Sequence, residues 1–144
     1  MKKILIGKAD IKELLSGDYI YIDKTEHIYN LLNNPDIYFL SRPRRFGKSL
    51  LISTFKEIFL GNKELFKECW IYKNTNYNWK KYPIIYLDFA EIKRNNSNEL
   101  KEGIETELNL ICQKYEIDLN KYDSGQTKIK FLIKNSYLLS ICKI

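Results

Sequence analysis

The chain has 144 residues, enough for one domain with a sizeable core and short for a complete nucleoside-triphosphatase. A hydrophobic content of 44% excludes a disordered chain, and 29% charged residues with a mean hydropathy of -0.40 indicate a water-facing surface. The net charge of +6 favours anionic partners, nucleotide or nucleic acid, without choosing between them.

The opening stretch, MKKILIGKAD, has only a brief apolar run before Gly7 and Lys8, too short for a signal peptide. No later stretch is apolar enough to span a bilayer, so no membrane partner is expected. Residues 11–15 read as one or two helical turns ended by Ser16 and Gly17, and residues 19–22 (YIYI) as a short β-rich run. Residues 23–26 (DKTE) have the form of a capping box, Asp23 with Glu26. They open a helix with Ile28, Leu31 and Leu32 on its apolar face, stopped by Asn33, Asn34 and Pro35.

Residues 36–41 (DIYFLS) form the next expected strand. A helix follows from near Lys48, with Leu51, Phe55, Ile58 and Phe59 at helical spacing and Gly61 at its end. Residues 61–82 are polar and aromatic without a sustained period, which predicts a short helix and an irregular connection. Residues 83–89 (PIIYLDF) read as a buried strand, and a helix from about Asn98 to Tyr115 carries Leu100, Ile104, Leu108, Ile111 and Cys112 on one face. Asp123, Ser124 and Gly125 make a turn, and the last sixteen residues are apolar. Strands alternating with helices predict an α/β layer fold with a parallel sheet.

Cys69, Cys112 and Cys142 are odd in number and form no C-x-x-C pair, so neither a disulfide framework nor a zinc site follows and a reducing cytoplasm is expected. His27, the sole histidine, has no nucleophile to pair with and reads as a surface or packing residue. The tyrosines near the strand candidates and Trp70 and Trp79 read as packing residues.

The chemistry concentrates in residues 41–51 (SRPRRFGKSLL). A phosphate-binding loop has the form G-x-x-x-x-G-K-[ST], and here Gly47, Lys48 and Ser49 close such a pattern at a strand-to-helix junction, with Arg42 where the first glycine would stand. A tight turn into a helix aims backbone N–H groups and the helix dipole at one anion. Gly47 permits φ > 0 or close approach. Lys48 would meet the β- and γ-phosphates, and Ser49 would ligate Mg2+. Arginine at 42 is costly if that position needs a left-handed backbone, and Pro43 removes one donor. Arg44 and Arg45 can pair with phosphate oxygens, or equally face solvent or a carboxylate. The cofactor-binding set expected is therefore Arg44, Arg45, Phe46, Gly47, Lys48, Ser49 and Leu50, for ATP with Mg2+. Asp88, ending the apolar run 84–87, is the candidate second metal ligand beside Ser49, against the plainer role of ordering its loop.

Residues 21–28 (YIDKTEHI), 38–66 and 82–92 together resemble the AAA-ATPase-like domain family, whose members are often followed by a PD-(D/E)XK nuclease-like region. The most specific piece is R-P-R-R-F-G-K-S at 42–49, that family's own form of the phosphate loop, which accommodates Arg42. The resemblance implies ATP binding and a partial P-loop NTPase fold with a parallel sheet flanked by helices. Residues 1–35 would be an N-terminal segment and 36–144 an incomplete P-loop core, truncated before the Walker B segment. Residues 131–133 (FLI) resemble the helix that leads into that segment. On this comparison hydrolysis is weak or absent even if ATP binds. Two other functions stay open: a basic nucleic-acid-binding module without nucleotide chemistry, and an inactive truncated fragment.

Overall fold

The computed structural model of the protein describes residues 3–4, 10–34, 36–88, 92, 96–117, 125, 127–128 and 139–143, with 88 and 139–143 as backbone only. The chain divides into two units, residues 1–81 and residues 82–144.

The first unit is helical. Helix α1 (Ile11–Ser16) is capped by Asp10, whose carboxylate accepts from the Lys12 N–H at 2.8 Å. It ends at Gly17, as its sequence predicts. Residues 19–22 do not become a strand. A single parallel bridge joins Lys3 to Tyr19, and Ile22 stays exposed.

Helix α2 (Thr25–Asn33) departs from the expected capping box. Lys24 occupies the N-cap without a side-chain bond. Asp23, one residue earlier, accepts from the Thr25 N–H through Oδ1 and from the Trp70 N–H through Oδ2. Thr25, fully buried, accepts from the Ile71 N–H at 3.0 Å. Trp70 and Ile71 begin α4 (Trp70–Asn74), which has no cap of its own. Two orphan donors of α4 are thus satisfied from the start of α2, and the two short helices hold each other.

Helix α3 (Lys48–Phe59) buries Thr54, Glu57, Ile58 and Phe59. It is tied to α1 where the Ile11 N–H donates to Ser53 Oγ at 3.0 Å. At its far end Glu57 accepts from the Asn62 side chain, and Gly61 follows with φ +72, the left-handed position that commonly ends a helix. A Cβ there would also lie 2.7 Å from the Trp79 carbonyl oxygen, so only glycine fits. A 3-10 turn (Lys63–Phe66) buries Phe66, which stacks on Trp79 at 5.5 Å. Trp79 meets Tyr77, Tyr77 meets Tyr29, and Tyr29 meets Trp70, so the irregular connection is packed by its aromatic rings.

In the second unit strand β1 (Ile84–Asp88) pairs in parallel with β2 (Leu139–Lys143), Ile84 opposite Leu139 and Asp88 opposite Lys143. A parallel pair needs a crossover, and α5 (Ser97–Lys114) lies in it. Asn96 caps α5 by accepting from the Asn98 and Glu99 N–H groups and donating to Glu99. The core joins Ile85 and Leu87 to Leu108 and Cys112, with Ile104, Ile111 and Ile117 against it. The Ile84 N–H donates to the Tyr115 hydroxyl oxygen at 2.9 Å. Gly103 is needed for space, since a Cβ there would meet Ile92 at 2.4 Å. The observed helix differs from the expected one by one residue at each end. Gly125 is helical, whereas Asp123, Ser124 and residues 131–133 lie outside the described residues.

The expected sheet is the main correction. The described chain is predominantly helical, and a parallel sheet flanked by helices, the layer of a P-loop NTPase fold, is not seen among the described residues. Pairing among the described residues is limited to the β1–β2 ladder and one bridge. Residues 36–41 join no ladder among the described residues, with Ile37 96% exposed. Local bonds compete there: Asp36 accepts from the Ile37 N–H, and the Tyr38 hydroxyl donates to the Asn34 carbonyl. Strand propensity realises a strand only where a neighbouring backbone completes the ladder.

Replacing Asp23 by Ala should cost about 1–2 kcal/mol in urea unfolding, since it uncaps two helices at once. Cys69 is almost fully buried, and burial, then the Asp23 carboxylate, push its thiol up from 9.0 to about 12. The folded state therefore holds this proton more tightly than the unfolded chain. Stability should be complete below pH 9.0 and fall as pH rises toward about 12. Unfolding midpoints across that range should fall less steeply in Cys69→Ala.

Candidate phosphate-binding site

The site is built from a turn, a helix start and one folded-back lysine. Residues 44–47 turn sharply into α3, and the turn uses left-handed backbone twice, at Arg45 (φ 68) and at Gly47 (φ 76, ψ 13). Gly47 is the N-cap, and its carbonyl accepts the first helical bond from the Leu51 N–H at 2.9 Å. No side chain caps this helix. The amides of its first turn have no intrahelical acceptor, and they lie at the positive end of the helix dipole.

Lys48 reaches back across the turn, its Nζ donating to the Arg42 carbonyl oxygen at 2.8 Å. The ammonium is therefore held over the loop. A Cβ added at Gly47 would meet nothing within 4 Å, so glycine is required there for its backbone angle and leaves open space beside the loop. Arg42, Arg44, Arg45 and Phe46 are exposed, while Lys48, Ser49 and Leu50 are half-buried. The Leu50 carbonyl accepts from Thr54 Oγ1 at 2.7 Å, which ties the first helical turn to the buried face.

The structure thus brings Arg44, Arg45, Phe46, Gly47, Lys48, Ser49 and Leu50 into one turn and one helix start. Within this turn the left-handed non-glycine residue is Arg45 and not Arg42, where the sequence pattern places that cost. A left-handed arginine has no sequence signature, because only the path of the closed turn requires it. The bond from Lys48 to the Arg42 carbonyl was equally invisible, since it depends on the lysine rotamer. Asp88 ends β1 in the second unit, with its side chain outside what the structure describes. Among the described residues no group of three or more His, Cys, Asp or Glu side chains could hold a metal ion. His27 lies exposed on α2, Cys69 and Cys112 are free and buried, and the Cys142 side chain lies outside the described residues. No described helix is long and apolar enough to cross a membrane.

Comparison with known proteins adds a family and one relative. The model of the family described as "Predicted AAA-ATPase" matches residues 5–141. An Azotobacter chroococcum mcd 1 protein, "Uncharacterized protein in vnfD 5'region", is 38% identical over 90 residues. That alignment covers 62% of this chain and 17% of the relative's length. No solved structure matches the chain.

Left-handed backbone disfavours an arginine by about 1–2 kcal/mol, of which the entropy of glycine in the unfolded chain takes back about half. Arg45→Gly should therefore raise the unfolding free energy by up to about 1 kcal/mol, whereas Gly47→Ala should lower it by about 1 kcal/mol or more. Denaturant titration of the two variants reads both signs.

Proposed function

Because this chain belongs to the predicted AAA-ATPase family, we propose that it binds ATP with Mg2+ through residues 44–50. The observation that carries this reading is the left-handed Gly47 at the uncapped start of α3, with the Lys48 ammonium held at 2.8 Å from the loop carbonyl of Arg42. That is the polarity a triphosphate tail needs: free amides, a helix dipole and a cation, all at one turn. Lys48 would exchange its carbonyl partner for β- and γ-phosphate oxygens. Arg44 and Arg45, exposed on the same turn, would add bidentate donors, and Phe46 would flank the tail.

Mg2+ suits this donor set. It keeps most of its waters and takes one or two protein oxygens besides the phosphates, so the Ser49 hydroxyl at the second helical position is the ligand this unit would supply. The metal, when bound, neutralises charge on the phosphate oxygens. Binding, with turnover slow or absent, is the activity proposed. Phosphoryl transfer to water needs a carboxylate at the metal and a group that orients the water, and residues 42–50 contain no acid. A cytoplasmic site of action suits the two buried free thiols.

Titration with a fluorescent ATP analogue and Mg2+ tests the reading. Lys48→Ala should lose affinity by about tenfold or more, as expected for removing a charged phosphate donor. Ser49→Ala should bind with a weaker dependence on Mg2+. Equal affinity of wild type and Lys48→Ala would sink the proposal.

A further inference from the structure

The nucleotide reading leaves the Arg42 side chain without a role. Glycine usually opens such a loop for its backbone freedom, yet Arg42 is not among the left-handed residues of this turn, where Arg45 and Gly47 take those angles. The position therefore tolerates a side chain, and the one present is an exposed cation. Residues 37–56 contain five Lys and Arg and no Asp or Glu. Among the described residues no carboxylate pairs with the Arg42 guanidinium. Its charge is left unbalanced at the opening of the loop.

The bond from Lys48 fixes where this cation is rooted. Lys48 Nζ is 2.8 Å from the Arg42 carbonyl oxygen, and that oxygen is at most about 2.8 Å from its own Cα. The Arg42 Cα therefore lies within about 5.6 Å of the ammonium. Like charges this close repel, and an anion bound between them removes the repulsion. The order along the turn selects the end of the anion. In a phosphate loop the amides cradle the α- and β-phosphates, and the lysine reaches the β- and γ-phosphates. Lys48 extends from the helix start back to residue 42, six positions earlier, so Arg42 stands past the ammonium as seen from the helix amides. That is the side of the terminal phosphate, the group with the most free oxygens for a guanidinium fork. We propose that Arg42 is a specificity-determining residue of this site, pairing with the γ-phosphate and setting a preference for triphosphate over diphosphate.

This role rests on the nucleotide reading, and one set of variants separates the two. The full chain with Mg2+ is titrated with ATP and ADP analogues carrying the same fluorophore. Wild type should prefer the triphosphate. Arg42→Ala should lose about tenfold or more in affinity for the ATP analogue and less than about twofold for the ADP analogue. Arg42→Lys should keep part of the preference, since it retains the charge without the bidentate fork. Inorganic triphosphate, which carries no base, should compete with an inhibition constant about tenfold higher in Arg42→Ala. Arg42 is exposed, so far-UV dichroism and the melting midpoint should not change in either variant. Equal losses for both analogues overturn the assignment, since they mark a general charge effect or a structural one, and so does unchanged affinity for both. Equal affinity of wild type and Lys48→Ala removes the nucleotide reading and this role with it. Loss of binding in Lys48→Ala, with the triphosphate preference intact in Arg42→Ala, removes this role alone.

Discussion

Helix α3 is held to α1 by a bond whose release would leave the N–H of the buried Ile11 without its partner. The Ile11 N–H is bound to Ser53, the Leu50 carbonyl to Thr54, and Glu57 to Asn62. Each bond contributes modestly while it is made, but orphaning a buried donor or acceptor costs about 1–3 kcal/mol. Rotating α3 about its axis would break the bond to Ile11, whereas the other two are local to the helix and its C-terminal end. The direction of its first-turn amides therefore follows from the packing of the rest of the helix, and the loop before it inherits that direction.

The same logic binds the remainder of the first unit. Helix α4 is too short to be stable alone, and its opening amides are satisfied by Asp23 and Thr25 from the start of α2. The aromatic sequence from Phe66 through Trp79, Tyr77 and Tyr29 to Trp70 then packs the connection that follows. Rigid neighbours of this kind can hold a strained turn. Arg45 in left-handed backbone is where local preference loses in this unit, and it stands in the turn that leads into α3. Strain concentrated at a prospective binding turn, on an otherwise satisfied scaffold, is the pattern expected of pre-organisation.

The helices and the core of the candidate site were legible in the residues. Asp10 and Gly17 bracket α1, Gly61 ends α3, and the period of Leu108, Ile111 and Cys112 defines α5, because capping and periodicity act within a few residues. Gly47, Lys48 and Ser49 were recognised for the same reason: a helix start with glycine before it is a local feature. The strands were not legible in this way. Residues 36–41 and 84–88 both read as apolar strands in sequence, yet the first joins no ladder among the described residues and the second pairs with residues 139–143, more than fifty positions away. Asp23 likewise has the form of a local cap, but its second oxygen is claimed by Trp70, forty-seven residues on.

Where the helices begin and end, and which turn gathers the cations, was already written in the residues, since these follow from bonds closed within one or two turns and from charge. Tertiary structure alone decided which apolar segment pairs, which helix Asp23 caps, that Arg45 takes the left-handed position, and that Lys48 rests on the Arg42 carbonyl. Pairing, distant capping and the closure of a strained turn each need a partner whose position only the packed chain supplies.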